Sequence, residues 1–359
     1  MKYNIWNKWD PLKVCMLGNN YAPEFFNGVP DKVADPLKRI CEETLEDLRG
    51  YKEILEQFGV EVIQPDINPN DRFLDNPGNY SRGPLQPRDA QLVIGNELVF
   101  TWIDAPEIEQ RLLEYSNQNI VKSVKTDENT YNLMRGEDWP EYKDYLTNNY
   151  SKCPSEIENV FTPAPNITVV GKDVYIDVVH GFNKKAWDEK FSNTFRTTDL
   201  QIGGHNDSCF HTIKPGAILS LNDIQIYTET FPGWDVCYLP DQSWSKVEEF
   251  LKLKDKNQGK WWVPGEEDND EFTHFVETWL QDWVGYVEET VFDVNVLMLD
   301  EHHCCVNNTS NEKVNAFLKK HKVEPVHVPW RHRYFWDGGL HCITLDLYRD
   351  GVQKDYFDS

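Results

Sequence analysis

The chain has 359 residues, with 60 Asp and Glu against 36 Lys and Arg and a formal charge of −24. Hydrophobic residues at 40% and aromatics at 13% supply a packed core, which excludes a disordered chain. The acidity disfavours nucleic acid and anionic membrane surfaces, which are held by Lys and Arg, whereas a cationic or neutral small molecule is an easy guest. The N-terminal MKYNIWNKWD offers no apolar stretch for a signal peptide, and runs such as Val296–Leu299 are too short to span a bilayer. Eight cysteines (Cys15, Cys41, Cys153, Cys209, Cys237, Cys304, Cys305 and Cys342) are too sparse for a disulfide scaffold and read as reduced thiols in a cytoplasmic protein.

In chain order, apolar spacing predicts a helix from Pro36 to Phe58, with Leu37, Ile40, Cys41, Leu45, Leu48, Leu55 and Phe58 on one face. Gly59 ends it, and a short strand, Val60–Ile63, runs into Gln64-Pro65-Asp66. Hairpins are expected over Ala90–Phe100 with a turn at Gly95-Asn96, and over Ile167–Val178 with a turn at Gly171-Lys172-Asp173. Two more are expected over Ala217–Tyr227, turning at Asn222-Asp223, and over Asn295–Val306, turning around Asp300-Glu301. A strand after Gly233 closes at Pro240-Asp241, and a helix from Val314 leads to a strand from Val323 that closes at Pro329. No linker interrupts the chain, so residues 1–359 read as a single domain. Hairpin, helix, strand and loop, repeated several times, suggest α/β units assembled radially; an α+β domain with similar hairpins is the plainer alternative.

Four segments carry the residue types that chemistry needs. Gln86-Pro87-Arg88-Asp89 precedes a strand, and an isolated Pro-Arg-Asp reads first as a turn with a solvated charge pair. In Gly203-Gly204-His205-Asn206-Asp207, alternation in an extended segment puts His205 and Asp207 on one side, and glycine lets a ligand approach the backbone. In Asp337-Gly338-Gly339-Leu340-His341-Cys342, the cysteine enters a strand directly after two glycines, with Arg331, His332 and Arg333 near enough in sequence to favour a thiolate. His302-His303-Cys304-Cys305 has metal-ligand residue types, but consecutive strand residues face opposite ways and do not converge on one ion. A cysteine, a histidine and dispersed carboxylates describe a thiol enzyme, and Asp89 and Asp207 suit a planar guanidinium with forked donors.

The run Val294-Asn-Val-Leu-Met-Leu-Asp-Glu301, followed by Gly339-Leu-His-Cys342, resembles the C-terminal third of glycine amidinotransferases. Trp6-Asn-Lys-Trp-Asp-Pro-Leu-Lys-Val14 is similar to that family's opening strand. Pro87-Arg-Asp89 and His205-x-Asp207, with Pro215-Gly216 and Leu219-Ser220, follow in matching order over nearly the whole chain. The resemblance implies the guanidine-modifying superfamily and a five-fold pseudosymmetric α/β propeller of repeated ββαβ-type units. It implies Cys342 as the nucleophile on the guanidinium carbon of arginine, Asp89 and Asp207 as holders of the guanidinium, and His205 as the proton carrier. A covalent amidino-cysteine, transfer to an amine, release of ornithine, and no metal or organic cofactor follow from it. A symmetric homodimer is compatible with the sequence but is not written in it.

Two departures from the family pattern qualify these expectations. The acid that orients the histidine is absent from Phe161-Thr-Pro-Ala-Pro-Asn166, where its position falls near Pro163; Asn166 and Asp177 are the candidates to replace it. The arginine that meets a substrate carboxylate after His205-x-Asp207 is replaced by Asn222-Asp223-Ile224, which argues against glycine as acceptor and leaves either Arg331 or Arg333 to bind a carboxylate, or an acceptor that lacks one. Three other readings remain open: a deiminase-like hydrolase, a degenerate guanidino-binding protein, and an iron oxygenase built on His205, Asp207 and His341.

Overall fold

The computed structural model describes residues 3–100, 105–116, 120–121, 164–179, 184–221, 226–239, 248–257, 259–285 and 291–357. Strands β1 (Leu12–Leu17) and β2 (Glu61–Ile63) pair in parallel, and β1 pairs antiparallel with the last strand, β15 (Thr344–Arg349). The same arrangement recurs four times along the chain. It is found in β3 (Gln91–Ile94), β4 (Glu97–Phe100) and β5 (Ile120–Val121), and in β6 (Ile167–Val170), β7 (Asp173–Asp177) and β8 (Arg196–Leu200). It returns in β9 (Phe210–Lys214), β10 (Ala217–Leu221) and β11 (Asp235–Leu239), and in β12 (Leu297–Asp300), β13 (His303–Val306) and β14 (Glu324–His327). Each three-stranded sheet is an antiparallel pair, a hairpin in all but the first, in which one strand takes a parallel third strand after a helical connection, because parallel neighbours need a crossover. The first sheet is assembled from the two ends of the described chain.

Period-two alternation explains how the sheets join. Val14 and Met16 enter a core with Val93 and Leu98 of the β3–β4 hairpin, whereas Leu12, Cys15 and Leu17 enter another with Leu297, Leu299 and Cys305. Leu92, Ile94 and Val99 pack with Ile167, Val169, Val174 and Ile176. Val170 and Tyr175 face the other way, toward Phe210 and Ile218. Ala217 and Leu219 pack with Met298 and Cys304. Consecutive sheets thus share one apolar cluster each, and the last shares one with the first. Cys304 and Cys305 fall in different clusters, so opposite facing separates them as alternation requires.

The helix expected from Pro36 begins earlier, at Asp31, and runs to Gln57. The Pro30 carbonyl accepts from the Val33 and Ala34 N–H groups, and burial of Val33, Ala34 and Leu37 carries the helix past Pro36 despite its missing donor. Leu45 is only half-buried and Phe58 is exposed, edge-on to His303. A second correction concerns the hairpin expected over Ala217–Tyr227. Its turn is Pro215-Gly216, with Gly216 at φ +85°, and Ala217 starts the return strand; the expected turn at Asn222-Asp223 lies outside the described residues. Pro-Gly is the stronger turn signal, because only glycine takes that φ without strain. Among the described residues no helix is long and apolar enough to cross a membrane.

Candidate active site

The site forms where short helical turns precede the hairpins. Pro87 at the first helical position starts the turn Pro87–Ala90, which aims Asp89 inward. The turn Asn206–Cys209 carries Asp207, with His205 as its flanking residue. His205 and Asp207 therefore do not share one face of an extended segment, as the sequence suggested; the chain turns at Asn206. Cys342 sits in the loop directly before β15. Arg88 and Asp89 are buried at 6% exposure each, so the solvated charge pair expected there does not form. Arg88 instead donates from Nε to the His341 carbonyl and from Nη2 to Asp346 Oδ1, both at 2.8 Å, which fastens the Asp89 turn to the Cys342 loop.

Cys342, Asp89, Asp207 and His205 come together. Asp207 Oδ2 lies 3.6 Å from Cys342 Sγ and accepts from His341 Nδ1 at 2.7 Å. Asp89 Oδ2 accepts from Arg82 Nη2 at 3.1 Å, and His205 Nδ1 is 3.9 Å from Asp89 Oδ1. The remaining oxygens, Asp89 Oδ1 and Asp207 Oδ1, are buried without a hydrogen-bond partner. Each carboxylate is thus held by one oxygen while the other is unsatisfied, an arrangement that favours a multi-donor cation.

The electrostatics agree. Burial raises the Asp89 carboxyl, and His205 and Arg82 only partly offset this. Burial also works against ionised Asp207, but the hydrogen bond from His341 and the nearby His205 and Arg88 hold it well below the usual carboxylate range. Burial together with the neighbouring Arg88 keeps His341 neutral. The Cys342 thiol is pushed far up by burial and then by the charges of Asp207 and Asp89, with a hydrogen bond from Asn295 acting the other way. The basic residues upstream do not favour a thiolate as expected. Arg331 is bound to Asp47 and Glu46 of the long helix, and His332 Nε2 lies 2.6 Å from Glu43.

Arg333 is engaged as well: it donates to the Trp330 carbonyl and the Tyr334 hydroxyl, and it lies 4.3 Å over the Tyr334 ring. Asp177 accepts from the Ile202 and Gly203 N–H groups at 2.9 and 3.0 Å, and Asn166 Nδ2 reaches Asp177 Oδ2 at 3.4 Å. Asp177 therefore supports the loop that leads to His205, and Asn166 supports Asp177. Pro163 lies outside the described residues. Seven free cysteines are described, and Cys153 lies outside. Among the described residues no group of three or more His, Cys, Asp or Glu side chains is placed to hold a metal.

Sequence reasoning missed Asn295, Arg82 and Gln86, and it weighed His341 only as an iron ligand. Asn295 Oδ1 accepts from the His341 and Cys342 N–H groups at 2.9 and 3.1 Å. Its Nδ2 lies 3.0 Å from Cys342 Sγ and 3.2 Å from the Asp207 carbonyl. Gln86 Nε2 donates to the Trp336 and Asp337 carbonyls. The two glycines before Cys342 make room for these side chains: a Cβ on Gly338 would lie 2.2 Å from Gln86 Nε2, and one on Gly339 would lie 2.6 Å from Asn295 Oδ1.

Among known proteins, no family profile matches the chain. It is 23% identical to the mitochondrial glycine amidinotransferase of Gallus gallus, over 98% of this chain and 84% of that protein. It is 22% identical to the L-arginine:L-lysine amidinotransferase of Pseudomonas savastanoi pv. phaseolicola, over 86% of this chain and 80% of that one. In structure it is similar to SxtG, an amidinotransferase of Microseira wollei, with a TM-score of 0.65 at 20% identity and 99% of both chains covered.

Proposed function

The chain belongs to the amidinotransferase family, and from that premise we propose that it moves the amidino group of L-arginine through Cys342 to an amine other than glycine. The observation that carries this reading is the pair of buried, unsatisfied oxygens, Asp89 Oδ1 and Asp207 Oδ1, on carboxylates whose electrostatic reach includes Cys342. A guanidinium bound between them satisfies both and brings its carbon to sulfur. Its charge also relieves the repulsion that keeps the thiol protonated, so the nucleophile gives its proton to His205 when substrate arrives.

Sγ then bonds to the guanidinium carbon as the bond to the ornithine nitrogen breaks. His205, 44% exposed beside Asp89, protonates that nitrogen, and ornithine leaves an amidino-Cys342. The incoming amine gives a proton to His205 and attacks the same carbon as the bond to sulfur breaks, and His205 passes that proton to the departing thiolate, which restores the resting thiol. Asp177 and Asn166 act on His205 through the loop at Ile202 and Gly203. The acceptor follows from residues 222–224, where no arginine stands to meet a glycine carboxylate, and from Arg331 and Arg333, which are engaged elsewhere. The five similar sheets, joined in sequence and closed by β1 and β15, support a single domain of propeller type over residues 1–359.

Steady-state turnover with arginine and a panel of amines tests the reading. Ornithine beyond one equivalent per enzyme is expected only when a suitable amine is present, in equal amount to the amidinated amine. Citrulline released without any amine would identify a deiminase-like hydrolase instead, and arginine binding with no product would identify a binding protein.

A further inference from the structure

Asn295 is fully buried shortly ahead of β12, and its side-chain hydrogen bonds go to the Cys342 loop and to the Asp207 carbonyl. Its orientation follows from its partners: Oδ1 faces two backbone N–H donors, so Nδ2 must face Cys342 Sγ and the Asp207 carbonyl, both acceptors. We propose that Asn295 is a positioning residue for the nucleophile, its amide nitrogen donating to Sγ and steadying the sulfur's negative charge while its oxygen fixes the backbone that carries the sulfur. The inference rests on the reading of Cys342 as nucleophile and assigns the donor that such a sulfur needs.

The surroundings favour such a donor, and the Gly339 backbone hydrogen-bonds to the sulfur as well. From the turn Asn206–Cys209, Asp207 faces the sulfur; from Pro87–Ala90, Asp89 adds a second negative charge. The cationic or polar groups nearby act at one remove: His341 is bound to Asp207, Arg82 to Asp89, Arg88 to the His341 carbonyl, and His205 lies beside Asp89. Asn295 alone, among the described side chains, donates a hydrogen bond to Sγ. Aspartate here would keep the acceptor for the two N–H groups and lose the donor. Gly339 leaves the space that the amide fills.

The test is the rate of Cys342 alkylation by iodoacetamide against pH, localised by mass spectrometry, in wild type, Asn295→Asp and Asn295→Ser. In both variants the midpoint should move to higher pH by about one unit, a roughly tenfold slower reaction at any fixed pH below it, with kcat falling and KM for arginine little changed. Profiles that superimpose on wild type would overturn the proposal. Loss of cooperative unfolding in both variants would also overturn it, by assigning Asn295 to the fold. If wild type forms no amidino adduct with arginine but the profiles shift, the transferase reading fails and the role of Asn295 stands; an adduct with unshifted profiles removes Asn295 alone.

Discussion

At the residue scale, the two carboxylates are distinguished by what holds their outer oxygens. Asp207 is kept ionised by a neutral histidine, while Asp89 is raised by burial and answers to Arg82 and His205. Replacing either by Asn removes half of the guanidinium's anchorage, and kcat/KM for arginine should fall by about a hundredfold or more. His205→Ala should lower kcat by about 10²–10⁴-fold, the range for a lost proton carrier. The free thiol titrates above its ordinary value because burial and two like charges oppose the thiolate. Cys342 alkylation should therefore be slow at neutral pH and rise only in the alkaline range. A guanidinium compound too short to shield the sulfur should move that rise to lower pH, because the bound cation favours the charged form. An alkylation profile with its midpoint at or below the ordinary thiol value would contradict this.

At the scale of elements, two glycines that both lie at positive φ make predictions of different size. Gly216, at φ +85°, faces open space, so Gly216→Ala should cost about 1 kcal/mol from the backbone alone. Gly171, at φ +62°, would bring a Cβ to 2.0 Å from the Lys354 carbonyl, and Gly171→Ala should cost about 1–3 kcal/mol more; urea midpoints of the two variants compare them. The elements themselves were largely legible, since alternation with glycine turns marks β3–β4 and β6–β7, and alternation around Asp300-Glu301 marks β12–β13. The β9–β10 hairpin was misplaced because Asn222-Asp223 competes with Pro215-Gly216 as a turn, and only pairing decides between them. Cys342, Asp89, Asp207 and His205 stood out by residue type and glycine context. Asn295 and Arg82 did not: an asparagine before an apolar strand and an arginine in a loop gain meaning only when distant segments meet. The sequence placed Arg331 near Cys342, whereas the fold turns it onto Asp47 of the long helix.

At the scale of the molecule, closure depends on Arg349. This fully buried side chain binds Asp346 within β15, the Asp10 carbonyl near the N-terminus and the Met298 carbonyl of β12. Arg349→Met leaves Asp346 with Arg88 and the nearby Lys8, and it should cost roughly 3–5 kcal/mol, read as a lower urea midpoint of one cooperative transition. Two separated transitions in wild type would contradict the single domain. The sheets meet where the hairpins begin, and at that junction Asp89, Asp207 and Cys342 are gathered from three parts of the chain. Intact-protein mass spectrometry after exposure to arginine without any amine tests the central claim most directly. Wild type should gain the mass of one amidino group with one equivalent of ornithine released, and Cys342→Ala should gain nothing. No gain in wild type, or a gain that survives in Cys342→Ala, would contradict the account.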